Sequence, residues 1–267
     1  MPQPILIRPG TRVRLRDFDP DDTSLCGEKG AAHRKVERHV RRMADLQHLL
    51  FADAGHSLLI VLQGMDASGK DGTIRHVMSG LNPLGCRAMS FKAPTPEERA
   101  HDFLWRVHRE VPPLGWIGIF NRSHYEDVVA ARVRGLVPRP VWRGRYEPIN
   151  DFEKLLAKSG VTLLKFFLHI SKQEQKKRLE ERLKDPRHAW KVDPVDWEDR
   201  KRWKEFMAAY EDAITRCGTA WAPWHVIPAD KKWFRNLAVS QIIVEALEGL
   251  HLKYPKLDFD PAKLVIK

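Results

Sequence analysis

The chain has 267 residues, 43% hydrophobic and 30% charged. This composition excludes a disordered, fibrous or repeat protein, and no apolar run approaches the roughly 20 residues that cross a bilayer. Lys and Arg number 46 against 35 Asp and Glu, a net charge of +11, which suits a polyanionic partner without choosing among nucleic acid, anionic membrane and a phosphate-rich substrate.

Three widely spaced cysteines, Cys26, Cys86 and Cys217, argue against a disulfide framework and against a zinc site. The start MPQPILIRPG has no long apolar leader, so a cytoplasmic protein is expected. Residues 33–52 read as an amphipathic helix, with Val36, Val40, Met43 and Leu50 at helical spacing. Arg34, Lys35, Arg38, Arg41 and Arg42 crowd the rest of its surface, either as a solvated face or as one wall of an anion channel.

The unbroken apolar run Ser57–Gln63 reads as a strand covered on both faces. A glycine-rich loop follows, then a helix over 74–81. Residues 86–91 form the next strand, and Thr95-Pro96-Glu97-Glu98 opens a helix with a capping box. Residues 116–120 are a buried strand, and Ser123-His124-Tyr125-Glu126 repeats the capping pattern. Tyr146–Lys158 is a helix and 161–170 a strong strand. Ser171-Lys172-Gln173-Glu174 opens another helix, with Leu179 and Leu183 on one face. Trp203, Phe206, Met207, Tyr210 and Ile214 mark a later helix, 224–227 a short strand, and Val239, Ile243, Ala246 and Leu250 a final helix. The alternation predicts an α/β protein, with a parallel central sheet between two helical layers.

Chemistry concentrates in the loop. Gly64, Gly69 and Lys70 match the P-loop spacing G-x-x-x-x-G-K, and the loop lies between a buried strand and a helix, as that motif requires. The glycines let main-chain amides converge on phosphate oxygens, the helix N-terminus adds partial positive charge, and Lys70 adds a full one. Asp71 replaces the usual Ser or Thr. Asp71 and Asp66 would repel phosphate unless a cation lay between them, so a loop working with Mg²⁺ is expected.

The strand 116–120 is followed by Asn121, where many P-loop enzymes place an aspartate. Arg122 is placed to bridge phosphates. Glu126 is either a cap or a site residue. Asp127, with no capping role, is favoured as a metal or substrate contact. The cluster Arg178, Arg182, Lys184, Arg187 and Lys191 falls on a charged, proline-bounded excursion. It is either a basic helix end or a lid that closes over phosphates.

GMDASGKDGTI (64–74), SFKAPTPEE (90–98), FNRSHYEDV (120–128), KDPRHAWK (184–191) and WEDRKRWKEFMAAYE (197–211) together resemble the polyphosphate kinase 2 family. The resemblance implies a P-loop kinase fold related to thymidylate kinase: a three-layer α/β/α domain over 57–267 with a helical lid near 178–197, preceded by a helical extension over 1–56. It implies Mg²⁺-dependent, reversible phosphoryl transfer between inorganic polyphosphate and a purine nucleotide, with AMP and ADP as acceptors. Asp66, Lys70 and Arg122 carry over as catalytic residues. Phosphate contacts are expected from Ala67, Ser68, Gly69, Lys70, Asp71, Gly72, Thr73, Lys92, Arg178, Arg182, Arg187 and Lys191. Nucleotide contacts are expected from Arg122, Glu126, Asp127 and Arg132, and metal contacts from Asp66, Asp71 and Asp127. A homo-oligomer, dimer or tetramer, is implied, with neither a membrane nor a specific nucleic acid as partner.

Two other readings share the loop. An ATP-dependent nucleoside monophosphate kinase has the same fold, but Asp71, the strong positive charge and the FNRSHYEDV stretch stand against it. A nucleic-acid-binding P-loop protein would use the basic charge and the nine tryptophans, yet no zinc or RNA-recognition signature is present.

Overall fold

The computed structural model describes residues 5–24, 26, 28–190 and 192–259. Its spine is five strands: β1 (Ser57–Gln63), β2 (Cys86–Ser90), β3 (Ile117–Asn121), β4 (Val161–His169) and β5 (Trp224–Pro228). All pair in parallel, in the order β2-β3-β1-β4-β5. Leu58 of β1 lies opposite Ile117 on one side and Thr162 on the other. Successive side chains of a strand point to opposite faces, and Leu58, Leu59, Ile60, Val61 and Leu62 are all at 0% exposure. Both faces of the sheet are therefore covered. Each such side chain contributes about 2 kcal/mol by leaving water. The chain leaves β1 for β2 and β3 on one side, then crosses to β4 and β5 on the other, so loops diverge at the carboxyl end of β1 and open a crevice there.

The helices are α1 (Lys29–Asp53), α2 (Lys70–Val77), α3 (Pro96–Ala100), α4 (Trp105–His108), α5 (Ala130–Val133), α6 (Arg139–Gly144), α7 (Tyr146–Lys158), α8 (Lys172–Lys184), α9 (Pro186–Ala189), α10 (Pro194–Lys201), α11 (Trp203–Arg216) and α12 (Lys232–Gly249). The expected extension over 1–56 joins the same core. Ile7, Val13, Leu15, Met43, Leu46 and Leu50 pack with the strands, and α1 docks on α12 through His39 Nδ1 to Ser240 Oγ at 2.9 Å and Arg42 to Glu248 at 2.8 Å. Ile7 N donates to Trp224 O and Val226 N to Ile5 O, both at 2.8 Å, so the first described residues cover the edge of β5. The three cysteines are unpaired.

Local differences from the sequence reading have local causes. The helix expected over 74–81 starts at Lys70 and ends at Val77; the P-loop feeds it directly, and its end leaves Gly80 against Val40, where a Cβ would press on the Val40 side chain. The Thr95 capping box forms, with Glu98 N donating to Thr95 Oγ1 at 3.2 Å and Thr95 N to Glu98 Oε2 at 2.8 Å. The Ser123 box does not. Ser123 Oγ accepts from Tyr125 N, only a 3₁₀ turn (His124–Asp127) follows, and Glu126 faces Gln63 instead. At Ser171 the hydroxyl caps Glu174 N, but Glu174 turns to Arg178 and Ser171 N donates to Asp230 Oδ1. Leu179 is buried, whereas Leu183 is 51% exposed on the far end of α8.

Candidate active site

The loop from Gly64 to Thr73 curls at the carboxyl end of β1. Backbone at Gly64, Ala67 and Gly69 is left-handed, with φ of 146°, 61° and 106°. A Cβ at Gly64 would stand 2.7 Å from Leu168 O, so only glycine fits there. The carbonyls of the loop are drawn back onto the protein. Gln175 Nε2 donates to Asp66 O at 3.1 Å. Arg178 Nη1 donates to Ala67 O at 3.0 Å and to Ser68 O at 3.2 Å. The first-turn amides of α2, which have no partner within the helix, face the opposite way and form an anion cradle. Lys70 Nζ folds beneath it, donating to Gly64 O at 2.7 Å and Met65 O at 3.2 Å. Burial lowers the Lys70 pKa, against the opposing pull of Asp66.

Arg122 reaches the cradle from β3. Its own backbone is left-handed (φ 63°), an uncommon conformation for a side-chain-bearing residue that points to a functional constraint. Its Nη2 donates to Asp66 Oδ1 at 2.7 Å. Burial works against the charge on Asp66, but Lys70 and Arg122 outweigh it and hold the carboxyl below its ordinary range. Glu126 closes the group. Gln63 donates to its Oε1 at 3.1 Å, and burial raises its pKa despite Arg122 and Lys70. The 3₁₀ turn that carries Glu126 rests on a fully buried set: Lys165 Nζ donates to Tyr125 Oη at 2.8 Å and to Glu153 Oε2 at 2.6 Å, while Glu153 Oε1 also pairs with His124.

Asp71 sits at the mouth, accepting from Asn121 Nδ2 at 2.8 Å. Lys92 is exposed beyond β2, and its carbonyl accepts from Arg106 at 2.8 Å. The carboxylate of Asp127, expected to contact metal, pairs here with Arg145 at 3.1 Å and Arg106 at 3.8 Å. Arg132, expected to contact the nucleotide, binds Asp212 at 2.6 Å and lies 4.5 Å over the Trp142 ring, which ties α5 to α11 and α6.

The predicted lid arginines divide. All five N–H bonds of Arg178 are occupied, by Glu174, Ala67 O, Ser68 O, Ala229 O and Asp230 O. It therefore braces the loop from behind rather than meeting phosphate. Arg182 approaches Asp196 at 3.6 Å, and Asp196 in turn hydrogen-bonds Asp66. Arg187 is exposed and pairs with Asp185 at 3.1 Å. Lys191 lies outside the described residues.

Asp196 was not anticipated. Asp193-Pro194, an N-cap and first-position proline, signals a helix whose first turn holds this carboxyl. Burial, then Asp66, push it up to about 7. Among the described residues no three His, Cys, Asp or Glu side chains gather as a preformed metal cage. The hydrogen-bonded carboxyls of Asp66 and Asp196 nevertheless fit Mg²⁺, which binds one or two carboxylates and completes its shell with phosphate oxygens and water.

A family model described as polyphosphate kinase 2 matches residues 27–255. The chain belongs to this family. It is 53% identical over 98% of its length to the AMP/ADP-polyphosphate phosphotransferase of Meiothermus ruber, of which it spans 98%. It is 43% identical over 92% of its length to the ADP-polyphosphate phosphotransferase of Rhodopseudomonas palustris, of which it spans 90%. The crystal structure of polyphosphate kinase 2 from Arthrobacter aurescens TC1 superposes with a TM-score of 0.92 at 44% identity, covering 96% of this chain and 92% of that one. These likenesses span α1 to α12.

Proposed function

We propose that this chain transfers a phosphoryl group reversibly between inorganic polyphosphate and a purine nucleotide, with AMP and ADP as acceptors, in a Mg²⁺-dependent reaction. The observation that carries the reading is the joined set Lys70–Asp66–Arg122 against the amides of the loop. It offers fixed positive charge and main-chain donors, as a migrating phosphoryl group requires. Relatives named for transfer between polyphosphate and AMP or ADP support the substrate pair, and the +11 charge suits a linear polyanion.

The end phosphate of the polymer lies in the loop, where the amides of α2 orient it and Lys70 leaves its carbonyl partners to meet the bridging oxygens. Arg122 holds the transferred group in line with the terminal oxygen of the nucleotide, and Arg182 and Arg187 close over the polymer and exclude water. Asp66 and Asp196 would hold Mg²⁺, which when bound neutralises phosphate oxygens and spares the two acids their repulsion. One phosphoanhydride replaces another, so neither direction is strongly favoured. Unpaired thiols accord with the cytoplasm, and the enzyme acts there as a homo-oligomer, which sizing with light scattering tests.

The assay is incubation of the full chain with Mg²⁺, long-chain polyphosphate and AMP or ADP, without ATP. Formation of ADP or ATP is expected, and absence of product with both acceptors overturns the reading. Phosphorylation of AMP by ATP alone, with polyphosphate inert, would mean an ordinary nucleoside monophosphate kinase.

A further inference from the structure

Arg235 stands in the first turn of α12 and is 3% exposed. Its Nη1 donates to Ser68 O at 3.3 Å, and its Nε and Nη2 to Asn236 Oδ1 at 3.3 and 2.9 Å. Among the described residues it has no ion pair with a carboxylate. A Cβ at Gly69 would fall on Arg235 Nη1, and one at Gly72 would stand 3.3 Å from Nη2. The guanidinium therefore lies flat against the turn where the loop becomes α2, in space that two glycines leave open.

Ser68 O is thus held by two guanidiniums, Arg178 and Arg235. A peptide bond is planar and trans, so fixing this carbonyl outward aims the Gly69 N–H into the cradle. Charge adds to geometry. Two cations stand behind the loop and, among the described residues, only one carboxylate, Glu174, pairs with them. In a site shielded from water, an uncompensated positive charge is felt over several ångströms. Burial, reinforced by Arg178, lowers the Arg235 pKa to about 9, as expected of a cation without a counterion.

We infer that Arg235 is a positioning residue for the phosphate donor: it touches no substrate, but it fixes the Ser68–Gly69 peptide and supplies positive field from behind the loop. The inference rests on the reading of the loop as the polyphosphate cradle. It separates the two substrates, because the nucleotide side, built around Arg122 and Glu126, has no contact with Arg235.

The test compares wild type, Arg235→Met, Arg235→Lys, Asn236→Ala and Lys70→Ala as full chains. Tripolyphosphate affinity is measured by calorimetry, and kcat and both KM values by the coupled assay. Arg235→Met is expected to weaken tripolyphosphate binding and raise the KM for polyphosphate about tenfold, leaving the KM for nucleotide within twofold. Arg235→Lys recovers part of the loss, and Asn236→Ala, which frees the guanidinium without removing it, causes a smaller loss of the same kind. Equal changes in both KM values, or unchanged tripolyphosphate affinity in Arg235→Met, overturn the inference. If Arg235→Met does not fold, Asn236→Ala decides in the same way. Wild type binding tripolyphosphate and Lys70→Ala losing it keeps the cradle reading intact whichever way Arg235 falls. Wild-type affinity that Lys70→Ala leaves unchanged overturns the cradle reading, and this inference with it.

Discussion

Arg178 and Arg187 come from one basic stretch of sequence, yet the fold uses them in opposite ways. The Arg178 side chain is 7% exposed, with every N–H taken by backbone carbonyls or Glu174; the Arg187 side chain is 85% exposed and, among the described residues, its guanidinium pairs only with its neighbour Asp185. A desolvated guanidinium with all donors filled fixes its surroundings and is not released for a ligand. An exposed pair between near neighbours contributes little, so on the proposed reading Arg187 would exchange Asp185 for a phosphate at small cost. The floor of the site is thus set before substrate arrives, while the proposed lid would keep its charge exposed to solvent.

The largest expected effect breaks the floor at its functional centre. Lys70→Ala should lower turnover by about three orders of magnitude, because it removes charge directed at the transferred group. Circular dichroism and melting should show the fold retained, and near-normal turnover would remove Lys70 from the site. A smaller effect belongs to the lid. Arg187→Ala should raise the KM for polyphosphate about fivefold at low salt and leave kcat nearly unchanged, with the difference shrinking as ionic strength screens the exposed charge. A salt series of initial rates reads both quantities, and a loss confined to kcat would place Arg187 in the floor's class.

A third effect, on stability rather than turnover, tests whether acid loosens the floor. His225 lies on β5, the strand that leads to the Ala229 and Asp230 carbonyls under Arg178. Burial lowers its pKa from 6.5 to about 4. The unfolded chain therefore takes up this proton first, and stability falls as pH drops from 6.5 towards 4, by about 3 kcal/mol from this group. His225→Gln should lose that part of the slope in urea unfolding at pH 7 against pH 4.5, and an unchanged slope would refute the assignment.

The strands and the loop were legible in the sequence because each is a local pattern. A parallel strand shows as an apolar run, as in Leu58–Leu62, and the P-loop as glycines and a lysine at fixed spacing. The partners of charged side chains were not. Arg178 and Arg187 carry the same chemistry in the sequence, and only the packing of α8 against the loop buries one of them. Arg132 pairs with Asp212, and Asp127 with Arg106 and Arg145, each distant along the chain. Glu126 was ambiguous for a local reason: a capping motif and a site acid look alike until Gln63 shows where the carboxylate turns.

Asn121 and Asp71 form one hydrogen-bonded unit across the cradle's mouth, amide on the strand and acid on the helix. A single negative charge serves both positions, so the two residues are interchangeable only as a couple. Asn121→Asp alone sets two anions face to face, Asp71→Asn alone leaves none, and the reciprocal double exchange restores one. Comparative sequences should accordingly vary these two sites together, and a library randomising both should recover complementary amide–acid combinations in either order.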